Sequence, residues 1–162
     1  MDFLVNLYDM GEKPVDDRLK ENGVVICRAL SPDKEKVIGF MKEHYGDGWY
    51  SESSNAFTNN PISAYVAIKD GEVVGVSCYD ATAKGYFGPI GVKPGLKGMG
   101  IGQGLLYATL KGMKEAGYGY AIIGWMDDAV KFYEACLKGF RIPDSDPKKT
   151  IYSTLTALAG KQ

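Results

Sequence analysis

The spacing of apolar positions changes period several times along the chain and lays out a succession of elements. Val24–Leu30 is an apolar, β-branched run and predicts a first strand. Ser31-Pro32 reads as a helix start, with serine as N-cap and proline at the first helical position. Val37, Ile38, Met41 and Tyr45 then recur at helical spacing, and Gly46-Asp47-Gly48 ends that helix. Trp49–Asn60 predicts a second helix, or a helix and loop, closing before Asn59-Asn60-Pro61. Ile62–Lys69 and Glu72–Asp80 flank Asp70-Gly71, a hairpin signal. Lys84–Val92 predicts the next strand, with a bulge or break at Gly88-Pro89, since proline cannot donate to a ladder. A helix follows from about Gly100 to Ala116, with Ile101, Leu105, Ala108, Leu110 and Met113 on its buried face. Gly117–Trp125 contains the nearly unbroken apolar run Tyr120–Ile123, the pattern of a strand covered on both faces. Asp127 or Asp128 can cap a helix whose apolar positions are Ala129, Phe132, Tyr133, Cys136 and Leu137. Gly139–Ile142 begins another strand, and alternation through Ile151, Ser153 and Leu155 predicts a final one over Thr150–Leu158. Residues 1–21 read as an N-terminal appendage with a polar turn at Glu12–Asp17, leaving residues 22–162 as a single domain of mixed α/β class.

Composition narrows the function classes. The 162 residues suffice for one sizeable core. Net charge is −1, so no general basic field exists for nucleic acid or an anionic membrane. Cys27, Cys78 and Cys136 are odd in number and widely spaced, which predicts free thiols in a reducing compartment. Asp2 and Asp9 interrupt the apolar residues of Met1–Met10, so that stretch does not read as a signal peptide, and a cytoplasmic protein is expected.

The stretch with the most chemistry is Tyr86–Tyr107. An apolar strand runs into a loop holding Gly98, Gly100 and Gly102, and Gly104 lies just inside the following helix. Glycine lets a ligand lie against bare main chain, and the first amides of a helix have no internal partners. Together they make an anion site, most often for phosphate. The P-loop pattern is missing, because no Gly-Lys-Ser/Thr run follows a spaced glycine. The dinucleotide fingerprint fails too, because Gln103, Leu105 and Tyr107 fall where its last glycine belongs. Lys97-Gly98-Met99-Gly100-Ile101-Gly102 instead resembles the Arg/Gln-x-x-Gly-x-Gly/Ala pyrophosphate loop of the GCN5-related N-acetyltransferases, the GNAT family. Val92-x-Pro94 before it and Leu105-Leu106 after it agree with that pattern. So does Ala129-Val130-x-Phe132-Tyr133 followed by Gly139-Phe140, which resembles the family's closing helix and strand.

The resemblance spans residues 24–158. It implies a GNAT-like acyl-coenzyme A N-acyltransferase fold, in the order β-α-(α)-β-β-β-α-β-α-β-β. It implies acetyl-coenzyme A as co-substrate and a primary amine, of a small metabolite in preference to a peptide, as acceptor. The amides of Met99, Gly100, Ile101 and Gly102, with Lys97 and Gly98, would hold the pyrophosphate; lysine stands where the family has arginine or glutamine. Ile90 and Val92 would offer main-chain groups to the pantetheine arm where the strand before the loop splays from the next, and an amide near Ile90 would polarise the thioester carbonyl. Tyr133 matches the tyrosine beside the coenzyme sulfur and is the candidate acid for the leaving thiolate. The family often has asparagine where Met126 stands, and a glutamate on the strand before the loop, but Tyr86–Val92 carries no carboxylate. Asp80 and Glu52 are the substitute candidates for the base, and Tyr45, Trp49, Tyr79 and Tyr86 could line an acceptor cavity. His44, the only histidine, reads as a helix-end residue, and Cys78 and Cys136 as small core residues. Many members dimerise, and Ile151–Leu158 is the segment expected to pair across such an interface. A non-catalytic acyl-coenzyme A sensor is the alternative, and a nucleotide-binding regulator a weaker one.

Overall fold

The computed structural model describes residues 1–10, 17–126 and 129–155. Its strands are β1 (Phe3–Asn6), β2 (Val24–Arg28), β3 (Ala64–Lys69), β4 (Glu72–Tyr79), β5 (Tyr86–Val92), β6 (Tyr120–Ile123) and β7 (Gly139–Arg141). They form one sheet in the spatial order β2-β3-β4-β5-β6-β1-β7. The helices are α1 (Asp17–Glu21), α2 (Lys34–Tyr45), α3 (Asp47–Ala56), α4 (Ile101–Glu115) and α5 (Val130–Cys136). No helix among the described residues is long and apolar enough to cross a membrane.

Two apolar clusters cover the sheet. On one side Leu105, Leu106, Leu110 and Met113 of α4 pack with Val5, Ala67, Val74 and Ala121. The other cluster joins Val37, Phe40 and Met41 of α2 and Ala56 of α3 to Val66, Val76 and Cys78. Alternation along β3 and β4 serves both, because successive side chains leave opposite faces of the pleat. A buried hydroxyl pair, Thr109 Oγ1 donating to Ser77 Oγ at 2.9 Å, ties α4 to the sheet.

From Val24 to Arg141 the element order is the expected one. Both ends differ. Phe3–Asn6, which the sequence places in an appendage, is an inner strand paired antiparallel with β6 and β7. Phe3 and Val5 are buried there. The four-residue strand is too short to announce itself by alternation, and its partners lie at the far end of the chain. The predicted last strand is absent over its first half: Ile151–Thr154 form a tight 3-10 turn that buries Tyr152. This segment therefore presents a turn, and not a strand edge, to any second copy; Thr156–Leu158 lie outside the described residues.

Smaller corrections follow from local chemistry. Ser31 does not cap α2; Ser31–Asp33 form a 3-10 turn and α2 starts at Lys34 without a side-chain cap. The strand expected over Gly117–Trp125 shortens to Tyr120–Ile123 and is not covered on both faces, since its burial alternates and Tyr120 lies 54% exposed. Its ring packs edge-on against Tyr8 at 6.0 Å, an aromatic contact at the surface that the apolar run did not distinguish from burial. The proposed capping role of Asp127 or Asp128 falls outside the described residues.

Candidate active site

The site is built around a fork in the sheet. β5 runs parallel to β6 but pairs with it only at Tyr86–Ile122 and Phe87–Ile123. Beyond Phe87 the two strands separate. The cause lies in the sequence: Gly88-Pro89 inserts a bulge, seen as a register shift opposite Ser77–Tyr79 of β4. A bulge bends its strand and sharpens the local twist. β5 stays on β4 afterwards, with Lys93 N–H donating to the Val74 carbonyl at 2.8 Å. Groups alternate in direction along an antiparallel ladder, so the N–H and C=O of Ile90 and Val92 face the opening.

The chain then turns through Pro94–Gly98 into α4. Gly100, at φ 79, occupies the left-handed region just before the helix, and no side chain caps the helix start. The first turn of α4 thus opens with uncapped amides at the positive end of the dipole, next to the fork. A diphosphate fits this donor set. Lys97 is exposed beside it. Arg18 of α1 also reaches this helix start, donating to Gln103 Oε1 at 3.2 Å. No local pattern near Arg18 pointed to that contact; only the packing of α1 against β2 and α4 brings it there.

Tyr133 stands at the root of the fork. It is buried on α5, with its ring edge-on to Phe87 at 6.2 Å. Burial pushes its phenol well above the usual tyrosine range, so it stays protonated. Glu52 of α3 accepts a hydrogen bond from the Thr82 hydroxyl at 2.7 Å. Burial raises its pKa, and the Thr82 bond opposes that rise. Asp80 is not brought to this site as a free base. Its carboxylate accepts from Gly85 N–H and from the Tyr118 hydroxyl, both at 2.7 Å, and pairs with Lys84. Those partners lock the turn that leads into β5. Tyr118 is itself pushed up to about 12, first by burial and then by Asp80. His44 packs edge-on against Phe40, and Tyr79 is core. Cys78, fully buried, has its thiol pushed up to about 12 and behaves as a small apolar residue.

Two residues that sequence reasoning passed over complete the surroundings. Tyr152, from the C-terminal turn, lies over Gly124, 5.5 Å from the Trp125 ring and 6.4 Å from Tyr86. Its phenol is pushed up first by burial and then by the charges of Asp2 and Glu52. Asp2 is buried, and its Oδ1 accepts from Trp125 N–H at 3.0 Å. That bond holds Trp125 in a left-handed conformation at φ 49, the sort of strain the surrounding structure must impose. Nothing local in the sequence links Asp2 to Trp125.

A family model described as the acetyltransferase (GNAT) family matches residues 20–138. No curated protein matches the sequence. One similar solved structure is a GCN5-related glucosamine N-acetyltransferase region of a fungal multi-domain β-N-acetylglucosaminidase. The TM-score is 0.65 at 16% identity, covering 86% of this chain and 19% of that one. Another is a GCN5-related N-acetyltransferase from Sphaerobacter thermophilus, with TM-score 0.57, 18% identity, and 75% and 40% of the respective chains covered. A third is an aminoglycoside acetyltransferase from an uncultured soil metagenomic sample, in complex with sisomicin. Here the TM-score is 0.53 at 17% identity, over 72% of this chain and 88% of the other. The chain thus spans about a fifth of the first of these structures. At such identities the likeness is one of fold. Both β1 and Tyr152 lie outside the residues the family model matches.

Proposed function

The chain belongs to the GNAT family of acetyltransferases, and from that membership we propose that it moves the acetyl group of acetyl-coenzyme A onto the primary amine of a small molecule, by direct attack in a ternary complex. The observation that carries this reading is the fork beyond Phe87, set beside the uncapped, glycine-led start of α4. The amides of Met99, Gly100, Ile101 and Gly102, with Lys97 and Gly98, would hold the diphosphate. The outward groups of Ile90 and Val92 would take the pantetheine arm as an added strand. The Ile90 amide is the donor suited to polarising the thioester carbonyl.

The acceptor side rests on Glu52 and the aromatic group of Tyr86, Trp125 and Tyr152. Aromatic faces attract an ammonium, and Glu52 adds a negative charge nearby. Glu52 takes a proton from the ammonium, and the freed nitrogen lone pair forms the new bond to the acetyl carbon. The carbon–sulfur bond breaks and the thiolate takes the Tyr133 proton; the proton the nitrogen still carries after attack passes through water to the Tyr133 phenolate, and Glu52 releases its proton to solvent. A carboxyl with a raised pKa and a phenol that stays protonated suit these two roles. The residues read as a compact amine site, which favours a small acceptor over a peptide.

The test is to incubate the protein with acetyl-coenzyme A and a panel of small primary amines while following free thiol. Amine-dependent thiol release, with the acetylated amine found by mass spectrometry, is the expected result. Binding of coenzyme A with no thiol release for any amine would overturn the catalytic assignment.

A further inference from the structure

The outward edge of β5 is not bare. The hydroxyl of Tyr45, the last residue of α2, accepts from Val92 N–H at 2.9 Å and donates to the Val92 carbonyl at 2.6 Å. One side-chain hydroxyl thereby satisfies both main-chain groups that a neighbouring strand would otherwise pair. The ring is held in place from two sides. It stacks on Trp49 of α3 at 4.6 Å and 15°. It also lies against the main chain of Gly91, where any Cβ would collide with it. Gly46, at φ 90, turns the chain between α2 and α3 and so brings Tyr45 and Trp49 face to face. Tyr45 nevertheless remains 37% exposed, so the ring has a way out to solvent.

An extended amide arm laid along this edge needs the same N–H. A single N–H cannot serve both partners at full strength. Resting on the donor reading given above, we propose that Tyr45 is a gate on the arm-binding edge: it closes that edge in the free protein and is displaced when the pantetheine arm pairs with Val92. The arrangement has a second use. An unpaired strand edge is a template for stray strands, and a hydroxyl that satisfies it blunts that hazard until the donor arrives.

The experiment is calorimetric titration of the whole chain and of its Tyr45→Phe variant, with coenzyme A and separately with ADP, which carries a diphosphate but no arm. Phenylalanine keeps the stacking on Trp49 and removes only the hydroxyl. The variant is expected to bind coenzyme A about five-fold more tightly, the scale of one net hydrogen bond, with ADP binding unchanged. Trp49→Ala, which loosens the ring but leaves the hydroxyl, is expected to tighten coenzyme A binding by a smaller factor. Equal or weaker binding of coenzyme A by Tyr45→Phe overturns the gate. A gain for ADP as large as that for coenzyme A overturns it too, because the effect would then lie at the glycine loop. If neither protein binds coenzyme A, the donor reading itself falls and the gate with it.

Discussion

In the proposed reaction Tyr133 and Glu52 hold opposite ends of one proton inventory, and burial raises the pKa of both. Burial raises the Tyr133 phenol, which keeps its proton where a thiolate can take it. Tyr133→Phe retains the ring against Phe87, so turnover should fall by about a hundred-fold while coenzyme A affinity holds, as read by steady-state thiol release and titration. Glu52 must be ionised to act as a base. Its raised pKa means that the carboxylate is lost at a higher pH on acidification than for an ordinary glutamate. The acid limb of kcat/KM should therefore lie above the usual glutamate range. Thr82→Val removes the hydrogen bond that opposes the shift, and should move that limb further toward alkaline pH; Glu52→Gln should abolish it. At this scale the sequence placed residues that lie inside a contiguous motif, as with Tyr133 on α5 and the glycines that lead into α4. It was opaque for Asp2, Trp125 and Tyr152, whose significance exists only once distant segments meet.

The elements that form the fork carry their own instructions. Gly88-Pro89 announced a break, and the bulge appears there. Asp70-Gly71 announced a hairpin, and both residues take positive φ in the turn between β3 and β4. The start of α4 depends on Gly100 in the left-handed region. Gly100→Ala forces a Cβ into that conformation and should cost about 1–2 kcal/mol, measurable as a lower urea midpoint. The same substitution should weaken coenzyme A binding, since the first amides of α4 would shift. Expectations failed at this scale for elements whose pattern is short. A brief apolar run in β6 looks alike whether both faces are covered or one, and three alternating residues near Ile151 fit a turn as well as a strand.

For the molecule as a whole, the decisive arrangement is the placing of β1 between β6 and β7. Deleting residues 1–6 would strip Phe3 and Val5 from the core and leave two short strands without their shared neighbour. The shortened chain should lose its single cooperative melting transition by circular dichroism. An appendage, as residues 1–21 first read, would leave that transition where it was. The family match begins only at residue 20, so this strand is an addition that the matched region does not predict. It also carries Asp2 to the turn that presents Trp125, which couples the architecture of the sheet to the proposed acceptor side.

That placement has a consequence for biogenesis. Phe3, Leu4 and Val5 are translated well before their partners Ile123 and Arg141. Contacts so distant in sequence close late, because the loop entropy must be met before any pairing repays it. β1 therefore waits, apolar and unpaired, until β6 and β7 have been made. Its insertion sets Asp2 against Trp125, so this corner of the fold forms only after β7 has been translated.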